Sequence, residues 1–361
     1  MSRAALAILS TENLIHNVNQ IKKNAPKSAI MAMVKANAFG HGLRSTSMRI
    51  EKHIDNLGVA SIDEAIALRK IGIKCPITLI EGVFEPDELL VASCQKFDVV
   101  FHAFEQIQWL KDITVPLPIK AWIKVDSGMG RLGFSLEESK TALEMLKTIK
   151  SIQQNIGLMS HLACADETNH ELNKKQLNAF DKLAKLWEGP KSIANSAAIF
   201  NAPNSHYDVV RPGICLYGAS PIKDKTALEL DLKPVMTLQT RLTAVRTFPK
   251  NSTIGYGATY TCHKETKVGI IAIGYGDGYS RKLPNGTPVL VNNVKCSTIG
   301  RISMDMTAID IDSVPNAKIG DPVILWGEQL PIEDIIRNTN LISNELLCGV
   351  QSRVKFNWTL G

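Results

Sequence analysis

From Ala29 to Val210 the chain alternates between two kinds of segment, and this alternation limits its fold more than any other feature. Short apolar runs occur at Ala29–Val34, Leu57–Ala60, Ile77–Ile80, Phe97–Phe101, Ile119–Val125, Ile156–Ser160, Ser192–Asn195 and Val209–Val210. Between most of them lie helical patterns, at Ile62–Ile71, Pro86–Cys94, Leu136–Ile149 and Leu172–Trp187, the third preceded by Ser135 as a candidate N-cap. Repeated strand and helix imply parallel strands. Roughly eight such units close a (β/α)8, TIM-like barrel of ~250 residues, while an open doubly wound sheet fits the same alternation.

After about residue 225 the pattern changes. Strand-like runs follow one another at Val235–Thr247, Val268–Ala272, Pro288–Val291, Met306–Ile311 and Pro322–Leu325, separated by turn signals such as Pro284-Asn285-Gly286. This predicts a second, mostly β domain, with the boundary at residues 220–232. The chain's 361 residues, 45% of them hydrophobic, suffice for two such cores. The seven cysteines form no C-x-x-C pair, which suggests neither a disulfide framework nor a zinc site and fits a reducing, cytoplasmic setting. The run Ala4–Leu9 is too short for a secretory core and reads as a strand. No apolar stretch reaches membrane-helix length. A formal net charge of +6 without a dense basic block suits a small anionic ligand better than nucleic acid.

Barrels do their chemistry at the C-terminal ends of their strands, and the unusual polar residues do follow the apolar runs. Lys35 follows Ala29–Val34; Lys124 and Arg131 follow Ile119–Ile123; His161 follows Ile156–Ser160; Asn195 and Ser196 follow Ser192–Ala194; Arg211 follows Val209–Val210. A lysine amine at a partly desolvated rim can form a Schiff base with an aldehyde, although isolated lysines at strand ends commonly just snorkel. Gly128-Met-Gly-Arg-Leu-Gly133 is formally a dinucleotide fingerprint. It lacks the acidic residue that should stand about 20 positions on, and reads better as a loop that positions Arg131. Asn195, Ser196, Gly213 and Ile214 have the donor chemistry of a phosphate site. In the β domain Tyr256 and Tyr275 stand between glycines, either as hairpin corners or as tyrosines presented to a ligand.

Taken in order, these segments resemble the alanine racemases. The resemblance rests on Val34-Lys-Ala-Asn-Ala-Phe-Gly-His-Gly42, Lys124-Val-Asp-Ser-Gly-Met-Gly-Arg-Leu-Gly133, Asn195-Ser196, Arg211-Pro-Gly-Ile-Cys-Leu-Tyr-Gly218, Ile254-Gly-Tyr-Gly-Ala-Thr-Tyr260, Gly274-Tyr-Gly-Asp-Gly-Tyr-Ser-Arg281 and Gly300-Arg-Ile-Ser-Met-Asp305, which span nearly the whole chain. It implies a barrel that binds pyridoxal 5'-phosphate (PLP) at residues 9–225 and a β domain at 226–361, with residues 1–8 as an N-terminal strand packed with the latter. It implies a homodimer that interconverts L- and D-alanine and supplies D-alanine for peptidoglycan.

The resemblance also implies roles. Lys35 would carry PLP and act as the base on the D-alanine face, and Tyr256, from the other subunit, as the base on the L-alanine face. Arg211 would face the pyridine nitrogen, with His161 linking it towards Tyr256. Asn195, Ser196, Gly213 and Ile214 would hold the cofactor at its phosphate end, and Arg131 with the backbone N–H of Met304 the substrate carboxylate. Lys124 matches a position carbamylated in some members. Tyr275, Arg281 and Asp305 would shape the access corridor. Phe39 and Trp358 depart from the family, which commonly has phosphate-contacting tyrosines at both places. A PLP-dependent decarboxylase, a non-catalytic PLP-binding barrel protein and a racemase of broader specificity are the alternatives. Arg211 in place of an acid weighs against the first, the β domain against the second and the lack of a signal peptide against the third.

Overall fold

A computed structural model of the chain describes residues 4–359, so residues 1–3 of the expected 1–8 segment and 360–361 of the β domain lie outside the described residues. The chain divides into two compact units. One comprises Ile15–Leu216 with Ser220–Lys225; the other takes the residues up to Leu14, Tyr217–Ala219 and those from Thr226 onward.

Strand β1 (Leu6–Ser10) belongs to the second unit. The first holds β2 (Ala29–Met33), β3 (Asn56–Val59), β4 (Ile77–Leu79), β5 (Phe97–Phe101), β6 (Ala121–Lys124), β7 (Gly157–Met159), β8 (Lys191–Ser192) and β9 (Val209–Val210). They form one parallel sheet in the order β8-β7-β6-β5-β4-β3-β2-β9. Its two edge strands, β8 and β9, are joined by separate bonds instead of a regular ladder. The Asp208 N–H donates to the Lys191 carbonyl (3.1 Å) and the Arg211 N–H to the Ala194 carbonyl (3.0 Å). The Ser192 hydroxyl donates to the Val209 carbonyl (2.7 Å). The alternation in the sequence therefore resolves as a barrel and not as an open sheet.

Helices at Ile62–Lys70, Glu88–Gln95, Glu138–Lys147 and Glu171–Ala184 lie where the periodicity predicts them, to within a few residues at each end. Ser135 does cap its helix. Its Oγ accepts from the Glu138 N–H (3.1 Å), and Glu138 Oε2 accepts from the Ser135 N–H (2.8 Å), a reciprocal capping box.

Alternation along the strands sends even-numbered side chains of β3 to β6 into the barrel. At the N-terminal end these are polar and bonded to one another. Thr78 Oγ1 donates to Asn56 Oδ1 (3.1 Å), Asn56 Nδ2 to Asp98 Oδ2 (3.4 Å), and Lys120 Nζ lies 3.0 Å from the same carboxylate oxygen. Above them Met31, Met33, Ile80, Val100, Trp122 and Met159 make an apolar plug with Phe39 packed against it. Gly157 stands opposite Trp122 in the ladder because the indole fills the space a side chain would need.

In the second unit β10 (Met236–Phe248), β11 (Thr253–Ile254), β12 (Tyr260–Thr261), β13 (Thr266–Ile271), β14 (Pro288–Val291), β15 (Val294–Ile299), β16 (Thr307–Asp310), β17 (Pro322–Trp326) and β18 (Lys355–Thr359) are almost entirely antiparallel. The pairings β10-β13-β16-β15-β14-β17 return to β10 and form a hydrogen-bonded ring. Strand β1 pairs antiparallel with β10 on one side and parallel with β18 on the other.

A Cβ added at Gly157 would lie 2.2 Å from Trp122 Cε3. Gly157→Ala should therefore destabilise the barrel by about 1–3 kcal/mol through overpacking. A urea midpoint equal to that of the parent protein would contradict this.

Candidate active site

Because the first sheet is parallel, residues just beyond each strand share one rim. Lys35 leaves β2 and Glu81 follows β4 by two residues; their Nζ and Oε1 are 3.0 Å apart. Lys35 is less desolvated than the sequence suggests, since its side chain keeps 37% of its exposure. Lys124 ends β6 and points into the barrel, with only 6% exposure. Burial, reinforced by the cations Arg211, Arg131 and Lys35, holds its amine well below the usual lysine value.

Arg211 follows β9 and is buried. One guanidinium nitrogen donates to Ser192 Oγ; the other donates to the Ser160 carbonyl and lies 3.4 Å from the Ile193 carbonyl and 3.2 Å from His161 Nδ1. Its partners are carbonyls, a hydroxyl and an imidazole. Burial and then Arg131 push its pKa down to about 9, which leaves it protonated at neutral pH. A guanidinium can only donate, so His161 Nδ1 accepts and Nε2 carries the ring proton. Burial, followed by Arg211, Lys124, Arg131 and Lys35, depresses the His161 pKa well below its ordinary value, so the imidazole is neutral. The Gln176 amide donates to the His161 carbonyl (2.9 Å) and fixes the backbone there.

The glycine-rich loop after β6 serves an internal purpose. Asp126 accepts from the N–H groups of Gly128 (2.8 Å), Met129 (2.7 Å) and Gly130 (2.8 Å). Burial raises the Asp126 pKa, but these bonds outweigh it and the net shift is downward. Those three N–H groups are therefore spent on a side chain and cannot cradle a pyrophosphate. The loop carries Arg131, which is exposed.

After β8, Asn195 Oδ1 accepts from the Ala198 N–H (3.2 Å) and caps the short helix Ser196–Asn201. Ser196 Oγ accepts from the Gly213 N–H (2.7 Å), and Ile214 begins the next turn. A Cβ on Gly213 would sit 2.9 Å from Phe39 Cζ. The Phe39 ring therefore lies over the spot where Ser196 and Gly213 meet.

Five residues singled out in the sequence lie together in the second unit. Tyr256 and Tyr275 each open a single 3-10 turn, Tyr256–Ala258 and Tyr275–Asp277, and both rings are exposed. The Arg281 guanidinium carbon lies 5.9 Å from the Tyr256 ring centroid and 5.8 Å from that of Tyr275. The Gly276 N–H donates to the carbonyl of Met304, a residue with 52% exposure. Arg353 braces the same loops through ion pairs with Asp305 and Asp277. Trp358 lies on β18, opposite Leu9.

Sequence reasoning missed Glu81, Glu64 and Ser160. Glu81 follows the run Ile77–Ile80 and was open to the rule that found Lys35. Glu64 reads as an ordinary first-turn helix acid.

Comparison with known proteins gives a single answer. Residues 9–221 match the family described as alanine racemase, N-terminal domain, and residues 235–358 that described as alanine racemase, C-terminal domain. The chain is similar to the alanine racemase of Coxiella burnetii (strain CbuG_Q212), with 45% identity over 364 residues and 99% of each chain covered. It is similar to that of Legionella pneumophila (strain Lens), with 43% identity over 356 residues, 99% of this chain and 100% of the other. Among solved structures, the biosynthetic alanine racemase from Pseudomonas aeruginosa has a TM-score of 0.97 at 38% identity, with 99% and 100% covered. The alanine racemase from Bartonella henselae with covalently bound pyridoxal phosphate has a TM-score of 0.88 at 27% identity, with 99% of each covered.

His41 is also held neutral, its pKa lowered to about 4 by burial against the opposing backbone bonds of Phe39 and Ala38. The unfolded chain binds more protons than the folded one below an imidazole's usual ~6.5. Stability from His41 and His161 is thus present above that value and lost as pH falls towards the folded pKa. The urea midpoint of the protein without cofactor should fall between about pH 7 and about pH 4.5, less steeply in His161→Asn. A midpoint that does not move with pH would refute this.

Proposed function

The chain belongs to the alanine racemase family, and from that premise we propose that it interconverts L-alanine and D-alanine with PLP, by proton transfer on both faces of the substrate Cα. The observation that carries the reading is the rim of the parallel barrel, where Lys35, Lys124, Arg131 and Arg211 influence one another and Glu81 is the carboxylate facing them. Such a surplus of positive charge fits a group bearing a phosphate, together with a substrate carboxylate. Ser196 and Gly213 meet on this rim with Asn195 and Ile214 beside them, and the Ser196 hydroxyl and Gly213 N–H would exchange their mutual bond for bonds to the phosphate end.

In this reading Lys35 Nζ holds PLP covalently, and the bound group supplies a sink for the electron pair left when the Cα–H bond breaks. Everything else is done by the chain. Lys35, freed when the substrate amine takes its place, would move the Cα proton on one face and Tyr256 of the partner subunit would move it on the other, since racemisation needs a base on each side. Arg131 offers its planar fork to the substrate carboxylate, helped by the backbone N–H of Met304. Arg211 would lie towards the pyridine nitrogen and, able only to donate, would favour that nitrogen as an acceptor. Neutral His161 accepts from Arg211 and keeps its Nε2 proton for the next group in line. A buried Lys124 amine, its pKa held well below the usual lysine value, is chemically suited to carbamylation, which would set a negative charge near Arg131. Tyr275, Arg281 and Asp305 narrow the approach to a small side chain. The reading further takes the barrel as residues 9–225, the β domain as 226–361 joined by residues 1–8, the protein as a cytoplasmic homodimer, and its product as D-alanine for peptidoglycan.

Chiral chromatography of L-alanine incubated with protein and PLP tests this directly. D-Alanine should accumulate towards an equal mixture and should not form with Lys35→Ala. Failure of the PLP-loaded protein to form D-alanine would sink the reading, and loss of alanine with release of carbon dioxide would indicate a decarboxylase. Phe39 supplies no hydroxyl to the phosphate cradle. Phe39→Tyr should therefore tighten PLP binding by about two- to tenfold, the equivalent of one hydrogen bond worth about 0.5–1.5 kcal/mol. An unchanged dissociation constant would count against that placement.

A further inference from the structure

Lys35 opens an unusual piece of backbone. Ala36, Asn37, Ala38 and Phe39 have φ of 52°, 55°, 54° and 50°, one turn of left-handed helix built from residues with a Cβ. For L-residues this conformation costs roughly 1–2 kcal/mol each, and only Asn37 is of a type that visits it readily. A turn of this kind persists only if its surroundings hold it.

Part of the hold is internal. The Ala38 N–H donates to the Val34 carbonyl (2.8 Å) and the Gly42 N–H to the Asn37 carbonyl (2.9 Å), while Asn37 Oδ1 accepts from the Leu43 N–H (2.8 Å). Another part comes from a different βα unit. Glu64 Oε1 accepts from the Ala36 N–H (2.8 Å), and its Oε2 accepts from the Ala60 N–H (2.9 Å). Glu64 occupies the third position of the helix Ile62–Lys70, behind the N-cap Ser61. In a capping box its carboxylate would return to the N–H of Ser61 itself. It reaches past that group instead and joins the exits of two neighbouring strands, β2 and β3, on one charged acceptor.

We propose that Glu64 is a positioning residue for Lys35, fixing the strained turn so that Nζ stays aimed at the cofactor site. The proposal rests on the racemase reading and adds to it a residue that touches neither substrate nor cofactor.

The test compares the parent protein with Glu64→Ala, Glu64→Gln and the double variant Glu64→Ala/Ala36→Gly. It reads PLP affinity from the long-wavelength absorbance of lysine-bound PLP, and kcat and KM for alanine at saturating PLP. Glu64→Ala should weaken PLP binding about tenfold or more and lower kcat, with KM within about twofold, because Arg131 is untouched. Glu64→Gln keeps one of the two bonds and should fall between. Ala36→Gly removes the steric cost of positive φ and should restore part of the loss. If Glu64→Ala does not fold, Glu64→Gln carries the same comparison. A variant that binds PLP and turns over like the parent, or loses only thermal stability, overturns the proposal and leaves the racemase reading intact. A parent protein that neither binds PLP nor racemises alanine overturns both.

Discussion

The Arg211 guanidinium does two jobs from one position. The barrel's weakest seam lies between β8 and β9, strands of two residues each that share no regular ladder. Arg211 reaches back from the end of β9 to Ser192 at the end of β8, to Ile193 just after it and to Ser160 beyond β7. Its charge is thus solvated by neutral acceptors drawn from two strands and the residues just beyond them, and desolvating it without such partners would be costly. The contacts that close the barrel also present a permanent donor at its catalytic rim. A substitution there would disturb closure and chemistry together.

The charge placed at that rim is dealt with by suppression more than by pairing. Lys35 has Glu81. Burial, ahead of the neighbouring cations, holds Lys124 well below the usual lysine value and His161 well below the usual imidazole value. His161 therefore meets a ligand as a neutral imidazole, while the Arg211 guanidinium beside it stays charged.

The sequence made the barrel legible because six of its eight strands are apolar runs long enough to show against polar helices. Phe97–Phe101 and Val209–Val210 match the structure residue for residue, and Ser192–Asn195 proved longer on paper than in the sheet. Strands β15 and β18 were invisible. Val-Lys-Cys-Ser-Thr-Ile and Lys-Phe-Asn-Trp-Thr hold few apolar residues, and β18 is held by β1, far away in the chain. Residues at strand ends declared themselves because lysine, histidine and arginine are conspicuous there. The left-handed turn did not, since in Ala-Asn-Ala-Phe only Asn37 favours positive φ and three of the four residues disfavour it. That conformation is imposed by bonds from elsewhere, Glu64 among them.

Strand β1 lies between β10 and β18, and the Thr11 hydroxyl donates to the Thr359 carbonyl (2.9 Å) across 348 residues of chain. During ribosomal synthesis β1 therefore waits for β10, and longer still for β18, before it is paired on both sides. Its apolar face must wait while the barrel segment is made, released and able to condense by itself. A chain cut short between β17 and β18 would keep every barrel strand but leave β1 as an open sheet edge, the kind of surface on which chains aggregate.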